Sequence, residues 1–156
     1  LTLNLTSNRY LPKGLPIPVP EADGLSEPYW QGLKEGLLKV QRCVKCETWQ
    51  FAPEWICHRC HEIHPDWVTV RPKGRIYSWE RVWHPAHTVI RNYGPYLAVL
   101  VELPEAGHVR MIGNLLGDPL QDVVIGQEVV GVFEHHPEEL PPYSLLQWRR
   151  SYDVIS

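Results

Sequence analysis

The chain has 156 residues, of which 44% are hydrophobic, and a formal net charge of −3. This length is enough for one ordinary domain or for two small ones, and no stretch approaches the roughly 18 consecutive apolar residues of a membrane span. The negative net charge argues against a protein that binds nucleic acid through bulk positive charge.

An extended, proline-rich arm is predicted for residues 1–25. This segment has no hydrophobic periodicity, and prolines interrupt it at positions 12, 16, 18 and 20. Such a segment is disordered or becomes ordered only against a partner. It lacks the apolar core of a signal peptide, so we expect a cytoplasmic protein whose cysteines stay reduced.

A helical segment is predicted next, within residues 26–42. Ser26 is a suitable N-cap, Pro28 suits the first turn, and Gly36 suits the end of the helix. The apolar residues at helical spacing are Trp30, Leu33 and Leu37. The sequence LLKVQR then predicts a short strand that leads into the first cysteine pair.

The four cysteines of the chain lie within eighteen consecutive positions, and they are Cys43, Cys46, Cys57 and Cys60. Two C-x2-C pairs separated by ten residues suit four thiolates on one tetrahedral ion, whereas this spacing is poor for structural disulfides. The pattern therefore predicts a zinc ribbon over residues 43–67 with one structural zinc. Iron and a redox-active cysteine pair are the alternatives.

The residues that follow each cysteine pair depart from the usual pattern. Glu47 and His61 occupy positions where a tight turn often has glycine. His61 or His64 is an alternative to one of the cysteines as a ligand. The spacing of these two histidines is one residue too short for the H-E-x-x-H motif of zinc proteases.

Five short strands are predicted in residues 68–156, because apolar runs alternate with Gly- and Pro-rich turns. A five-stranded barrel of the OB type is the best-known arrangement of five such strands. We expect its core to be separate from that of the ribbon. The predicted strands cover residues 74–83, 95–104, 108–117, 127–136 and 143–150.

The first of these strands alternates strictly in sequence, which predicts two opposite faces. One face would carry Ile76, Ser78, Glu80 and Val82, and the other Tyr77, Trp79, Arg81 and Trp83. His84 and His87 follow in a loop, either as ordinary polar loop residues or at the rim of a ligand or partner surface.

The ribbon has more large aromatic residues than a small zinc module can bury. Exposed aromatics are enriched at protein interfaces, so a protein partner is the simplest explanation, and base stacking is the alternative. We find no G-x-S-x-G motif, no P-loop and no G-x-G-x-x-G motif, and no cysteine remains for a nucleophile. The candidate interface residues are Trp49, Phe51, Trp55 and Trp67.

Over roughly residues 26–150 the chain resembles the zinc-ribbon OB-fold proteins known as domain of unknown function 35. These proteins are associated with acyl-CoA and thiolase-type enzymes. The resemblance implies a mostly β fold with an N-terminal helical segment, a rubredoxin-like zinc ribbon and a C-terminal five-stranded OB-fold barrel. It is carried by PYWQGLKEGLLKVQRCVKC, APEWICHRC, KGRIYSWERVWHPAH, PYLAVLVELPE, GNLLG and VVIGQEVVGVFE.

The resemblance also implies a function. It predicts an accessory subunit, not catalytic alone, that joins a thiolase-like aldolase or acyltransferase in steroid or other acyl-CoA and lipid metabolism. The subunit would stabilise that enzyme and help it to bind acyl-CoA, with one structural zinc and no redox cofactor. The alternatives are a nucleic-acid-binding module, which the charge disfavours, and a free-standing acyl-CoA-binding protein. The candidate rim of the acyl-CoA or partner surface comprises Arg81, His84, His87 and Arg91.

Overall fold

The computed structural model describes residues 9, 10, 14, 19–63 and 65–154. No helix in these ranges is long and apolar enough to cross a membrane. Short 3-10 helices lie at Thr88–Ile90, Pro104–Ala106 and Ser151–Val154. The α-helix and strands are α1 (Glu27–Lys34), β1 (Leu38–Arg42), β2 (Trp49–Gln50), β3 (Asp66–Val70), β4 (Lys73–Val82), β5 (Tyr96–Leu103), β6 (Val109–Asn114), β7 (Glu128–His136) and β8 (Tyr143–Arg150).

Most of the predicted arm lies outside the described residues, but Arg9 and Tyr10 are placed against the barrel. Arg9 donates a hydrogen bond to the carbonyl of His135 at 2.9 Å and forms an ion pair with Glu138 at 2.6 Å. The amide of Tyr10 donates to the carboxylate of buried Glu134 at 3.2 Å. These two arm residues therefore contact the end of β7 and the turn that follows it.

Helix α1 begins as predicted, with Ser26 at the N-cap and a proline in the first turn. It ends earlier than the apolar spacing suggests, because Gly36 adopts a left-handed conformation with φ of 73°. The amide of Leu37 then donates back to the carbonyl of Gly32 at 2.8 Å, which closes a Schellman motif. Leu33 is fully buried, but Leu37 lies beyond the helix and is exposed, so its predicted place on the helical face is wrong.

The ribbon is built on a three-stranded antiparallel sheet in the order β2-β1-β3. The central strand β1 pairs with β3 along its whole length, with Val40 opposite Val68. This sheet extends on both sides of residues 43–67, since β1 precedes the first cysteine and β3 continues to Val70. The predicted strand before the first cysteine is confirmed.

The five remaining strands form an antiparallel sheet in the order β6-β5-β4-β7-β8. Leu115, just after β6, forms a bridge with Trp148 of β8, and the amide of Leu116 donates to the carbonyl of Trp148 at 2.8 Å. The sheet therefore curls into a nearly closed barrel. The predicted mostly β fold, with an N-terminal helix, a zinc ribbon and a five-stranded OB-type barrel, is confirmed.

A β-bulge in β4 changes which of its residues face the core. Ile76 pairs with Val101, but Ser78, two positions further along, pairs with the adjacent Leu100, so Tyr77 is the extra residue. A bulge reverses the alternation of a strand and bends it. Ile76 and Trp79 therefore both pack on the core, and the predicted division of this strand into two strictly alternating faces is wrong.

The ribbon and the barrel share one hydrophobic core. Leu33 of the helix and Leu38 and Val40 of β1 are each fully buried, and they belong to the same cluster as Val99 and Trp148 of the barrel. The expectation of two separate cores is therefore wrong. The base of the ribbon is part of the barrel's core, whereas the four cysteines are not members of this cluster.

Candidate metal centre and neighbouring surfaces

The four cysteine sulfurs converge beyond the end of β1. The Sγ atoms of Cys43 and Cys60 lie 3.5 Å apart, those of Cys46 and Cys57 lie 3.6 Å apart, and all four lie within 4.8 Å of one another. A tetrahedron with four zinc–sulfur bonds of about 2.3 Å has edges of about 3.8 Å. The four side chains therefore fit a single tetrahedral zinc ion without rearrangement of the backbone.

The two cysteine pairs lie in turns of the same construction. The amide of Glu47 donates to the carbonyl of Cys43 at 3.0 Å, and the amide of His61 donates to that of Cys57 at 2.9 Å. Glu47 and His61 both adopt left-handed conformations, with φ of 59° and 61°. These are the positions where glycine was absent from the sequence, so both turns form despite the steric cost of a side chain there.

Hydrogen bonds within the first turn favour the thiolate form of its cysteines. The backbone amide of Cys46 lowers the pKa of Cys43, and hydrogen bonds from Thr48, first from its hydroxyl and then from its amide, lower the pKa of Cys46 to about 6. The amides of Lys45 and Cys46 lie 3.4 and 3.5 Å from the sulfur of Cys43. Such amides are preferred partners for a negatively charged sulfur.

The surroundings of Cys60, in contrast, favour its protonated thiol form. The amide of Glu62 favours its thiolate, but burial and hydrogen bonds with Cys46 and Cys43 together raise the pKa of Cys60 to about 12. Four thiolates this close repel one another, so the cluster keeps protons unless a cation is bound. A divalent ion that replaces those protons suits this donor set.

Of the two alternative histidine ligands, His61 does not join the cluster among the described residues. The candidate group of ligating atoms consists of the four sulfurs. His61 is exposed and belongs to the second turn, and His64 lies outside the described residues.

The four candidate interface aromatics have different surroundings. Trp49 and Phe51 are half-buried and pack against the shared core, and the Phe51 ring lies 5.4 Å from that of Tyr29. Trp67 is also half-buried, whereas Trp55 is 50% exposed. Trp55 is therefore the most accessible of the four residues.

The candidate rim residues lie at the end of β4 and in the loop that follows. Arg81 donates hydrogen bonds to the carbonyls of Pro119 at 2.8 Å and Gln121 at 2.6 Å, so it fastens the loop between β6 and β7 to β4. His84, His87 and Arg91 are exposed. Nδ1 of His87 accepts a hydrogen bond from the amide of Val89 at 3.3 Å.

Sequence reasoning missed two residues next to the metal centre. Gln41 and Gln50 are only 2% and 5% exposed, and they bind each other between β1 and β2. Glutamine is common on protein surfaces, and a single glutamine in a predicted strand gives no signal of burial.

Comparisons with known proteins agree with this architecture. Residues 30–62 match the family described as ChsH2, rubredoxin-like zinc ribbon domain, and residues 67–134 match ChsH2, C-terminal OB-fold domain. A solved structure of an Ltp2-ChsH2(DUF35) aldolase contains a similar chain with 29% sequence identity and a TM-score of 0.72. The match covers 85% of the present chain and 99% of that one.

Two further proteins are similar. A DUF35-family protein of unknown function from Sulfolobus solfataricus shares the fold, with a TM-score of 0.53 and 15% identity over 80% of this chain and 84% of that one. A probable enoyl-CoA hydratase alpha subunit from Thermomonospora curvata is 32% identical over 102 residues, or 65% of this chain. The chain spans only 31% of the length of that relative. With a ribbon and a barrel that match in the same order, this chain belongs to the ChsH2 (DUF35) family of zinc-ribbon and OB-fold proteins.

Proposed function

We propose that this chain is an accessory subunit of a thiolase-superfamily acyl-CoA enzyme, such as an aldolase or a thiolase that acts on steroid or other acyl-CoA substrates. The observation that carries the proposal is the similarity to the ChsH2 chain of the Ltp2-ChsH2 aldolase, because it extends over 99% of that chain. The enoyl-CoA hydratase name of the Thermomonospora relative supports a connection to acyl-CoA chemistry.

The chemistry of the chain supports a role without catalysis of its own. All four cysteines belong to the candidate metal centre, so no thiol remains to attack a thioester. In this proposal the reacting groups belong to the partner enzyme. The subunit supplies a rigid docking surface and completes or stabilises the partner on binding.

We further propose that Cys43, Cys46, Cys57 and Cys60 hold one structural zinc ion. A closed set of four thiolates leaves no coordination position for a substrate, so the ion would stabilise the ribbon and take no part in a reaction. Metal analysis of the purified chain should give one equivalent of zinc. Iron in its place, or less than about half an equivalent of any metal, would contradict this assignment.

Two surfaces are proposed to meet the partner and its ligand. Trp55 is the proposed anchor of the partner interface, and the half-buried Trp49, Phe51 and Trp67 are further candidate contacts. His84, His87 and Arg91 are the proposed rim for the phosphates of acyl-CoA. Arg81 is a further candidate for this rim, and its guanidinium also donates hydrogen bonds to the loop between β6 and β7.

The decisive experiment is reconstitution with a candidate partner. The chain should be expressed with a thiolase-like enzyme encoded beside it, and the complex should be isolated and assayed with acyl-CoA thioesters and their aldol adducts. The complex should show turnover or solubility that neither protein has alone. Robust turnover by the purified chain would refute the proposal. Single-stranded nucleic acid bound near micromolar affinity, with a steep salt dependence, would favour the nucleic-acid alternative.

A further inference from the structure

Two buried glutamines lie between the core of the molecule and the candidate metal centre. Gln41 of β1 and Gln50 of β2 face each other in the strand pair, and Nε2 of Gln50 donates to Oε1 of Gln41 at 3.0 Å. Both side chains are more than nine-tenths buried. A buried amide must satisfy its hydrogen bonds within the protein. The two side chains therefore hold the backbone groups that they bind in fixed positions.

Gln41 holds the start of the loop that leads to the second cysteine pair. Its Oε1 accepts a hydrogen bond from the amide of Glu54 at 2.9 Å, and its Nε2 donates to the carbonyl of Glu54 at 3.1 Å. The side chain thus binds both backbone groups of one residue, as a neighbouring strand would. No β-strand covers residues 51–57, so this amide replaces the missing strand pairing there.

Gln50 holds the same loop on both sides of Cys57. Its Oε1 accepts from the amide of His58 at 3.3 Å and lies 3.2 Å from Nδ1 of the same residue. Its Nε2 also lies 3.4 Å from the carbonyl of Ile56. The residues before and after the third cysteine are therefore both attached to one buried side chain.

These contacts connect the two halves of the candidate metal centre. Gln41 lies two residues before Cys43, and Gln50 lies four residues after Cys46, so the amide pair belongs to the first half of the site. The backbone that it binds carries the second half. We propose that Gln41 and Gln50 are positioning residues that hold the second cysteine pair at metal-binding distance from the first. The inference rests on the proposed zinc site.

The physical basis is preorganisation. Without the amide pair, residues 51–58 would lose five of the hydrogen bonds described above, and the ion itself would have to restrict the loop. Residues that orient metal ligands without touching the metal typically change its affinity by about 10- to 100-fold. The expected result of removing either amide is therefore faster release of zinc by a chromogenic chelator, by about tenfold or more.

The experiment compares the zinc-loaded full chain with Gln41→Ala, Gln50→Ala and the double variant. Gln31→Ala is the matched control, because Gln31 is exposed on α1 and donates to Glu35 within that helix. Each single variant should release zinc faster than the wild type, and the double variant should release it fastest, because the two amides bind different parts of the loop. The control should release zinc at the wild-type rate.

A second variant keeps the test valid if the alanine variants fail to fold. Gln50→Glu preserves the volume of the side chain but removes the Nε2 donor to Gln41. It should also release zinc faster and should alter the visible absorption of the cobalt-substituted protein, which reports the geometry of the four sulfurs. Wild-type protein that holds zinc, with variants that release it at the same rate and show an unchanged cobalt spectrum, would overturn this inference alone. Wild-type protein without zinc would overturn the zinc site as well.

Discussion

The two ends of the ribbon are held together by different means. At the base, Leu38 and Val40 are fully buried in the core that they share with the barrel. At the outer end Cys43, Cys57 and the two glutamine amides are buried, while Val44, Trp55 and Ile56 are exposed. The base therefore depends on apolar burial, and the outer end depends on the proposed ion and on hydrogen bonds.

This difference shows that the ribbon is not stabilised in one way throughout. The change from apolar burial to metal and hydrogen bonds occurs inside the ribbon and not between the ribbon and the barrel. Strand β1 belongs to the ribbon by pairing and to the barrel by packing. The transition occurs at its end, between Val40 and Cys43. Four expected outcomes test this description, beginning with the largest.

Removal of the ion should have the largest effect and should be confined to the outer end. Structural zinc sites contribute on the order of 10 kcal/mol to the folding of small modules. After chelation, hydrogen exchange should show lost protection over residues 43–60, while β1 and β5 remain protected because they belong to the shared core. Cys57→Ser should have the same effect. Simultaneous loss of protection in β5 would show that the barrel also depends on the ion.

Shortening a buried side chain at the base of the ribbon should lower the free energy of unfolding of the whole molecule. Leu38→Ala removes a fully buried side chain from the shared core, which typically costs about 2–5 kcal/mol. Denaturant unfolding followed by tryptophan fluorescence should show one transition at lower stability. Leu37→Ala is the matched control, since Leu37 is the next residue in the chain but its side chain is 39% exposed. This change should alter the free energy of unfolding by less than about 0.5 kcal/mol. A loss confined to the ribbon would restore the prediction of separate cores.

Substitution of the proposed interface anchor should weaken binding to the partner without lowering the folding stability of the chain. Trp55→Ala should weaken the complex with the thiolase-like partner by about 2 kcal/mol or more, as expected for a buried interface tryptophan, with little effect on folding. Trp49→Ala should mainly lower folding stability, because Trp49 packs on the core and against Gly107. Titration calorimetry and thermal unfolding measure the two effects. Equal losses of affinity in both variants would mean that Trp55 has no special role.

The smallest effect concerns the left-handed residue of the second turn. His61→Gly should stabilise the zinc-loaded chain by about 1 kcal/mol, because glycine adopts this conformation without steric cost. His108→Gly, at φ of 62° in the barrel, should gain less, since His108 also binds Glu102 at 3.1 Å. Thermal unfolding measures both, and destabilisation by His61→Gly would show that the imidazole makes a stabilising contact.

Features that depend on local spacing could be predicted from the sequence. The spacing of the paired cysteines predicts that their sulfurs converge. The five barrel strands coincide with apolar runs that are bounded by Gly and Pro. The start of α1 at Ser26 follows from a cap and a proline that act within one turn. In each case the determining residues are neighbours in the chain.

Features that depend on distant contacts could not be predicted. The bulge at Tyr77 exists because β4 must bend to join the barrel, and a period of two in the sequence does not reveal the bend. The buried glutamines and the loop contacts of Arg81 depend on residues between 6 and 40 positions away. Whether an aromatic residue such as Trp49 or Trp55 is buried likewise depends on the barrel, which the ribbon sequence does not specify.

The shared core also determines which piece of the chain can be cut out and moved between proteins. A fragment that begins after the ribbon would leave the barrel without Leu33, Leu38 and Val40, and would expose apolar surface where they pack. Such a fragment should aggregate even though it contains every barrel strand. A fragment that keeps α1 and β1 but carries a shortened turn in place of residues 43–60 retains these three residues but loses Trp49 and Phe51, which pack on the same core. A transplantable unit should therefore include α1, β1 and the barrel together with the ribbon segment that carries these two aromatic residues.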